Sequence, residues 1–233
     1  MKRLGKILLW IVLLFFGSTI LVVLLYRYMP VYYTPLMGIR AWEQHSEGES
    51  LKCSHHWVPL DSITPYMAIA VIASEDQLFT EHNGFDLKAI EQARKEAREG
   101  KRRRGGSTIS QQTAKNAFLW PNSTWTRKGF ETYFTLLIEW MWDKGRIMEV
   151  YLNSIEMGPG IYGVEAVAQE HFGRNAKTLT REQCALIAAT LPNPRRYSSR
   201  YPSAYMRKRQ RQILKQMRHV EHFWKEWRQS IDN

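Results

Sequence analysis

Glu75 and Asp76 stand at the end of an apolar run, Tyr66 to Ala73, and are followed at short spacing by Phe79, His82, Gly84 and Asp86. Burying a carboxylate tunes its proton affinity, so an acid at the end of an apolar segment suits general base or general acid work. The plainer alternative is a solvated acidic pair, with Asp86 capping the next helix. A second stretch, Lys101-Arg102-Arg103-Arg104-Gly105-Gly106-Ser107-Thr108, joins four cations to two glycines and two hydroxyls, and runs on through Gln111, Gln112, Lys115 and Asn116. Glycines let a backbone approach a ligand, and a helix N-terminus offers free N–H groups to an anion. Gln112, Lys115 and Asn116 share one helical face by i, i+3 and i+4 spacing. Together these groups suit a ligand carrying phosphate and sugar hydroxyls. The Gly-x4-Gly-Lys-Ser/Thr spacing of a P-loop is absent. A solvated basic loop and a nucleic-acid patch are the rival readings of the cations.

A third stretch, Arg127-Lys128-Gly129-Phe130-Glu131, places an acid one turn from two cations. Alone it reads as an ordinary helical ion pair. Beside Glu75 in one pocket, Glu131 becomes the second member of a carboxylate pair, the usual equipment of glycosyl chemistry. A fourth, Glu149-Val150-Tyr151-Leu152-Asn153 with Gly158, Gly160 and Tyr162-Gly163 following, implies a tight irregular loop.

The elements that must position these residues are mostly helical. Thr64-Pro65 opens the first helix, with proline at a permitted early position. Asp86 to Glu99 reads as a charged, exposed helix, and Thr108 to Phe118 as another. Thr126 to Lys144 is long and apolar, with Phe130, Phe134, Leu137, Ile138 and Met141 at helical spacing. Arg146 to Asn153 follows it. Tyr162 to Phe172 closes at Gly173, a natural C′ residue. Thr180 and Gln183 form a capping box before an alanine-rich helix that Pro192 and Pro194 end. Tyr201 to Arg228 is a basic amphipathic helix. Trp57 to Leu60 is extended at best, and no run alternates with period two. The fold class is therefore mainly α.

The 233 residues carry a net charge of +11, which calls for anionic partners: nucleic acid, a lipid surface or a phosphorylated substrate. From Arg200 onward nine Lys/Arg face three acids, so the excess is concentrated in that segment. Cys53 and Cys184 make no metal pattern, and either one bond or two free thiols fits them. Ile7 to Tyr26 is an uncharged run of twenty residues, and about 20 helical residues span a bilayer core. Lys2, Arg3 and Lys6 precede it and Arg27 follows, so the N-terminal side is expected in the cytoplasm. No small-x-small site follows, which favours an uncleaved anchor over a signal peptide. Residues 27–56, with Pro30, Tyr32, Tyr33, Pro35, Gly38 and Trp42, read as a juxtamembrane connector.

At this point the motifs resemble one family. Glu75-Asp76-x-x-Phe79-x-x-His82-x-Gly84-x-Asp86, Gly105-Gly106-Ser107-Thr108-Ile109-x-Gln111-Gln112-x-x-Lys115-Asn116, Arg127-Lys128-x-x-Glu131, Glu149-x-Tyr151-Leu152-Asn153 with Gly158 and Tyr162-Gly163, and Leu179-Thr180 through Leu191-Pro192-x-Pro194 occur in the order of the family 51 glycosyltransferases, the peptidoglycan polymerases of the bacterial cell wall. The resemblance covers about Trp57 to Tyr197. Its departures are mild: Ser110, Thr113, Met148 and Cys184.

The resemblance implies a lysozyme-like glycosyltransferase domain over residues 57–197, behind a cytoplasmic tail (1–6), a transmembrane helix (7–26) and the connector, with a basic helical segment over 198–233. It implies lipid II and nascent glycan chains as substrates, β-1,4 links formed with inversion, and a periplasmic domain on the inner membrane. Glu75 is carried over as the base on the acceptor 4-hydroxyl and Glu131 as the second acid near the departing diphosphate. Lys115, Arg127 and Lys128 suit the diphosphate charge, as does Arg104. Gly106, Ser107, Thr108, Gln111, Gln112, Asn116 and Asn153 would hold donor and acceptor groups, and Asp76, Phe79, His82 and Gly84 would shape the cleft. No cofactor is required; a divalent ion near Glu131, magnesium or manganese, is the one that the resemblance leaves room for. Membrane lipids and cell-wall synthesis or division proteins are expected partners in maintaining cell shape, and nucleic acid is not. No Ser-x-x-Lys or Lys-Thr-Gly follows the fifth motif, so the single-function form is expected. A membrane-anchored lysozyme-like lytic enzyme, a nucleic-acid binder and a non-catalytic lipid II scaffold are the alternatives.

Overall fold

A computed structural model describes residues 2–100 and 106–232. Arg104 and its neighbours Lys101, Arg102, Arg103 and Gly105 lie outside the described residues. The chain is mainly α: α1 (Lys2–Tyr28), α2 (Pro35–Ser46), β1 (Ser54–His55), α3 (Pro65–Glu75), α4 (Leu87–Arg98), α5 (Ile109–Phe118), α6 (Trp125–Met141), α7 (Lys144–Ser154), β2 (Glu156–Gly158), β3 (Ile161–Tyr162), α8 (Val164–Phe172), α9 (Arg181–Ala188) and α10 (Ala204–Asp232).

Met67 through Ala73 of α3 are all buried. A helix that is apolar on every side belongs in the centre, and α3 packs against both α9 and α10, which also pack on each other. The basic helix α10 adds Met206, Ile213, Met217, Val220 and Trp224 to the same core. Its apolar stripe therefore covers α3, while most of its cations stay outside. Helix α5 packs against both α6 and α7. These two bundles meet at the end of α3, where Glu75 stands.

Four local expectations differ from the structure. The connector contains a helix, α2, because Thr34 accepts a hydrogen bond from Met37 N at 3.3 Å and Pro35 takes the first turn. The long apolar helix stops at Met141 and does not reach Lys144. Asp143 accepts from Arg146 N at 2.8 Å and starts α7 there. Tyr162 is in a strand, not a helix, because Gly163 turns the chain at φ +81°; a Cβ there would lie 2.5 Å from Asn153 O. A small sheet of order β1-β3-β2 results, parallel between β1 and β3 and antiparallel between β3 and β2. Strands of two or three residues are too short to show a period. The capping box of Thr180 and Gln183 and the left-handed cap at Gly173 form as expected. Cys53 is exposed and Cys184 buried, both as free thiols; burial pushes the Cys184 thiol well above its ordinary range.

Helix α1 is long and apolar enough to cross a membrane. It runs alongside α6. Phe15 meets Phe130 at 5.8 Å, the Thr19 and Tyr133 hydroxyls are 2.8 Å apart, and Trp142 Nε1 donates to Val23 O at 2.9 Å. At the exit, Arg146 donates from Nε and Nη2 to Tyr26 O at 2.9 and 2.6 Å.

Candidate active site

Glu75 is the last residue of α3 and is half-buried. Gln112 Nε2 donates to its Oε2 at 3.1 Å, and Ser74 Oγ to its Oε1 at 3.2 Å. The Tyr151 hydroxyl donates to Gln112 Oε1 at 3.3 Å. An amide held through its oxygen must present its NH2 to the carboxylate, so Tyr151 and Gln112 fix the orientation of Glu75. Burial raises the Tyr151 pKa well above its ordinary value, and the charges of Glu75 and Asp76 act the same way. Its hydroxyl therefore stays a donor.

Asp76 has a different place. It is buried, it accepts from Ile109 N at 2.9 Å, and its two oxygens lie 2.9 and 3.0 Å from His82 Nε2. Gly84 N donates to His82 Nδ1 at 3.2 Å. That leaves Nε2 as the nitrogen that carries the proton toward Asp76. The pair thus ties the turn after α3 to the start of α5. Phe79 is fully buried under Lys144 Nζ, 4.8 Å from its ring centre. Gly84 adopts φ +87°, and a Cβ there would meet Thr135 Cγ2 at 2.9 Å.

Helix α5 begins with a second capping box. Thr108 Oγ1 accepts from Gln111 N at 3.2 Å, Gln111 Oε1 accepts from Thr108 N at 3.0 Å, and the Thr108 hydroxyl donates to Gly84 O at 2.7 Å. Both residues are buried. These bonds turn them toward the protein, where they position α5. Gly106 packs over Ile90 and Ala93, and Ser107 is half-buried beside it. Gln112, Lys115 and Asn116 do share a face, and it lines a cleft of about 210 Å³. Leu36 and Arg40 of α2, Trp120, Glu156, Pro192 and Pro194 complete the walls.

Glu131 is buried at the start of α6. Arg127 Nη1 donates to its Oε2 at 2.6 Å, and Lys128 Nζ pairs with its Oε1. Lys115 faces the same group. Burial lowers its pKa, Glu131 opposes that most strongly, Arg127 and Lys128 add to the lowering, and Glu75 opposes it. Lys115 is therefore within electrostatic reach of both carboxylates. Three cations around the one buried carboxylate of Glu131 leave an excess of positive charge, with Arg127 buried and Lys128 partly open to solvent. Arg127 Nε is buried without a hydrogen-bond partner among the described residues. An anion with several acceptor oxygens would satisfy both.

A divalent ion fits this arrangement poorly. Both Glu131 oxygens are taken by cations, and among the described residues no group of three His, Cys, Asp or Glu side chains could hold a metal.

Asn153, expected among the groups that hold substrate, is bonded within the protein. It is fully buried, its Oδ1 accepts from Val58 N at 2.9 Å, and its Nδ2 donates to Val58 O at 2.9 Å and Glu149 O at 2.8 Å. The amide latches the segment before α3 to α7, a structural role that the substrate-binding expectation does not include. Asn153→Ala is expected to lower stability by about 3 kcal/mol, because three backbone groups lose their partner, or roughly 10 °C in melting temperature. A thermal melt that matches the wild type would refute this latch.

Several residues at the site carry no motif signal strong enough to single them out. Tyr151 lies within the fourth motif but reads no differently from its neighbours. Burial raises the Glu156 pKa, opposed by Arg40 and Arg195, and Arg40 Nε lies 3.5 Å from Glu156. Arg209 of α10 donates to Ser74 O at 3.2 Å, beside Glu75.

A family model described as Transglycosylase matches residues 44–218. A protein of Bacteroides thetaiotaomicron is 60% identical over 213 residues, covering 91% of this chain and 86% of its own length. One of Bdellovibrio bacteriovorus is 56% identical over 208 residues, covering 88% and 83%, and one of Caulobacter vibrioides 49% over 214 residues, covering 92% and 91%. Each of the three bears the name biosynthetic peptidoglycan transglycosylase.

Proposed function

The chain belongs to the transglycosylase family, and from that premise we propose that it polymerises lipid II into β-1,4-linked glycan strands with inversion. The peptidoglycan transglycosylase activity and the lysozyme-like fold come with membership. The substrate and the residue roles are the proposal. Glu75 takes the proton of the acceptor GlcNAc 4-hydroxyl as that oxygen attacks C1 of the donor MurNAc. The bond from C1 to the undecaprenyl diphosphate breaks, and its electron pair leaves with the phosphate oxygen. A sugar hydroxyl is a weak acid, so a positioned base must act during attack. A diphosphate leaving group needs fixed positive charge more than it needs a proton. Lys115, Arg127 and Lys128 supply that charge, and Glu131 holds the last two in place.

One observation carries this reading. The cationic cluster opens α6, and the next residues of α6, Phe130 and Tyr133, pack on Phe15 and Phe16 of α1. Phe15 and Phe16 stand midway along Ile7 to Tyr26, so α6 lies beside the segment proposed as the anchor, and a substrate held in the same membrane can reach the cluster that α6 opens. The α6 side chains Trp125, Leu136 and Trp140, all exposed, then face membrane lipid. The cytoplasmic side of the anchor is the one with Lys2, Arg3 and Lys6, which puts the cleft on the outer face of the membrane.

The test uses the purified full chain in detergent, given lipid II in one reaction and intact sacculi in another. Glycan polymer from lipid II is expected, with the sacculi left whole. Soluble muropeptides released from sacculi, without polymer, would show a lytic enzyme instead.

A further inference from the structure

Beyond the cleft wall formed by Pro192 and Pro194, the chain enters a second concavity that the polymerisation chemistry does not use. A groove of about 350 Å³ is lined by Arg196, Tyr197, Ser198, Tyr201, Tyr205 and Met206. Met206 is its buried floor, while Tyr201 and Tyr205 are exposed. Tyr197 and Tyr205 stack at 5.4 Å between ring centres. Arg196 and Arg200 lie over the Tyr197 and Tyr201 rings at 6.0 and 5.5 Å. Among the described residues, the three tyrosine hydroxyls make no hydrogen bond, and Arg196 and Arg200 pair with no carboxylate.

Tyrosine offers a flat apolar face and a polar tip, which match the two aspects of a pyranose ring. Arginine pairs with carboxylates through a rigid fork. We propose that this groove is an accessory glycan subsite, which holds the growing strand after its sugars leave the catalytic cleft. The tyrosine rings lie against the sugars, and Arg196 and Arg200 meet the carboxylates of the stem peptides. The groove neighbours the cleft along the chain: Pro194 lines one and Arg196 the other, at most about 7 Å of chain apart. A membrane surface is the less favoured occupant, because the helix that packs on α1 is α6, on the opposite bundle. The inference rests on the proposed polymerase activity and deepens it, since a tethered strand is released less often between additions.

The test compares the full chain in detergent with Tyr201→Ala, Tyr201→Ala/Tyr205→Ala and Arg196→Ala/Arg200→Ala. Tyr201 is 76% exposed, so the single variant keeps the fold. The probe for binding is a lipid-free, stem-bearing hexasaccharide cut from sacculi and labelled with a fluorophore. Binding is expected to weaken about tenfold in the double variants, or about 1.4 kcal/mol. Polymer from lipid II should become shorter, with the initial rate of coupling unchanged. Wild-type affinity and wild-type strand length in every variant would overturn the subsite. Loss of binding to anionic vesicles, with hexasaccharide binding intact, would overturn it in favour of a membrane contact. A wild type inert on lipid II would instead strike the polymerase reading, and the binding comparison involves no turnover.

Discussion

Glu75→Gln is expected to lose lipid II polymerisation by a factor of about 10² to 10⁴, the range that a positioned general base contributes, with its melting temperature unchanged. The substitution keeps the shape of the side chain and removes only its capacity to take a proton. Gln112 can still donate to the remaining carbonyl oxygen, and Tyr151 still holds Gln112. The half-buried position makes loss of charge tolerable to the fold. The measurement is a single-turnover assay with lipid II, paired with a thermal melt. A Glu75→Gln protein that polymerises at more than about a tenth of the wild-type rate, well short of the loss expected for a missing base, would remove Glu75 from that role. Loss of activity with an equal loss of stability would assign it to structure.

Glu131→Gln is expected to fail in both respects. Its carboxylate is buried and neutralises Arg127 and Lys128, with Lys115 close enough to feel it. Removing one member of a buried ion pair leaves uncompensated charge, which costs about 3 to 5 kcal/mol. The three cations then repel one another, and the site proposed for the diphosphate loses its shape. Polymerisation should fall by about 10² or more, as when preorganised charge stabilisation is lost. Inorganic diphosphate separates this account from a general core defect. It should raise the melting temperature of the Glu131→Gln protein more than that of the wild type, because it supplies the negative charge that the variant lacks. Equal shifts in the two proteins would mean that the cluster is not the diphosphate site.

The two carboxylates are both legible in the sequence, but for different reasons. Glu75 stands out because α3 is apolar on every side and ends in an acid. Glu131 is ordinary as an i, i+4 partner of Arg127, and only its burial and the approach of Lys115 make it more. The face shared by Gln112, Lys115 and Asn116 follows from helical spacing alone, and the cleft uses it. The role of Asn153 is not legible. Whether a polar side chain at a helix end points outward or into a neighbouring segment depends on what packs against it, here Val58 from 95 positions away.

By itself the sequence determined the helical class, the apolar N-terminal helix, the acidic and cationic motifs and most of the caps. All of these depend on residues near one another in the chain, so spacing and side-chain type suffice. Tertiary structure alone decided which groups meet. Tyr151 reaches Gln112 across 39 positions, Gln112 reaches Glu75 across 37, and Arg209 reaches Ser74 across 135. Helix α2 became a wall of the cleft because Leu36 and Arg40 find α5 and Glu156. Asp76 and His82, residue types that catalytic pairs use, were drawn inside to join two segments. Such contacts arise where helices cross, and the crossing is set by the combined burial of many apolar side chains, which no local pattern encodes.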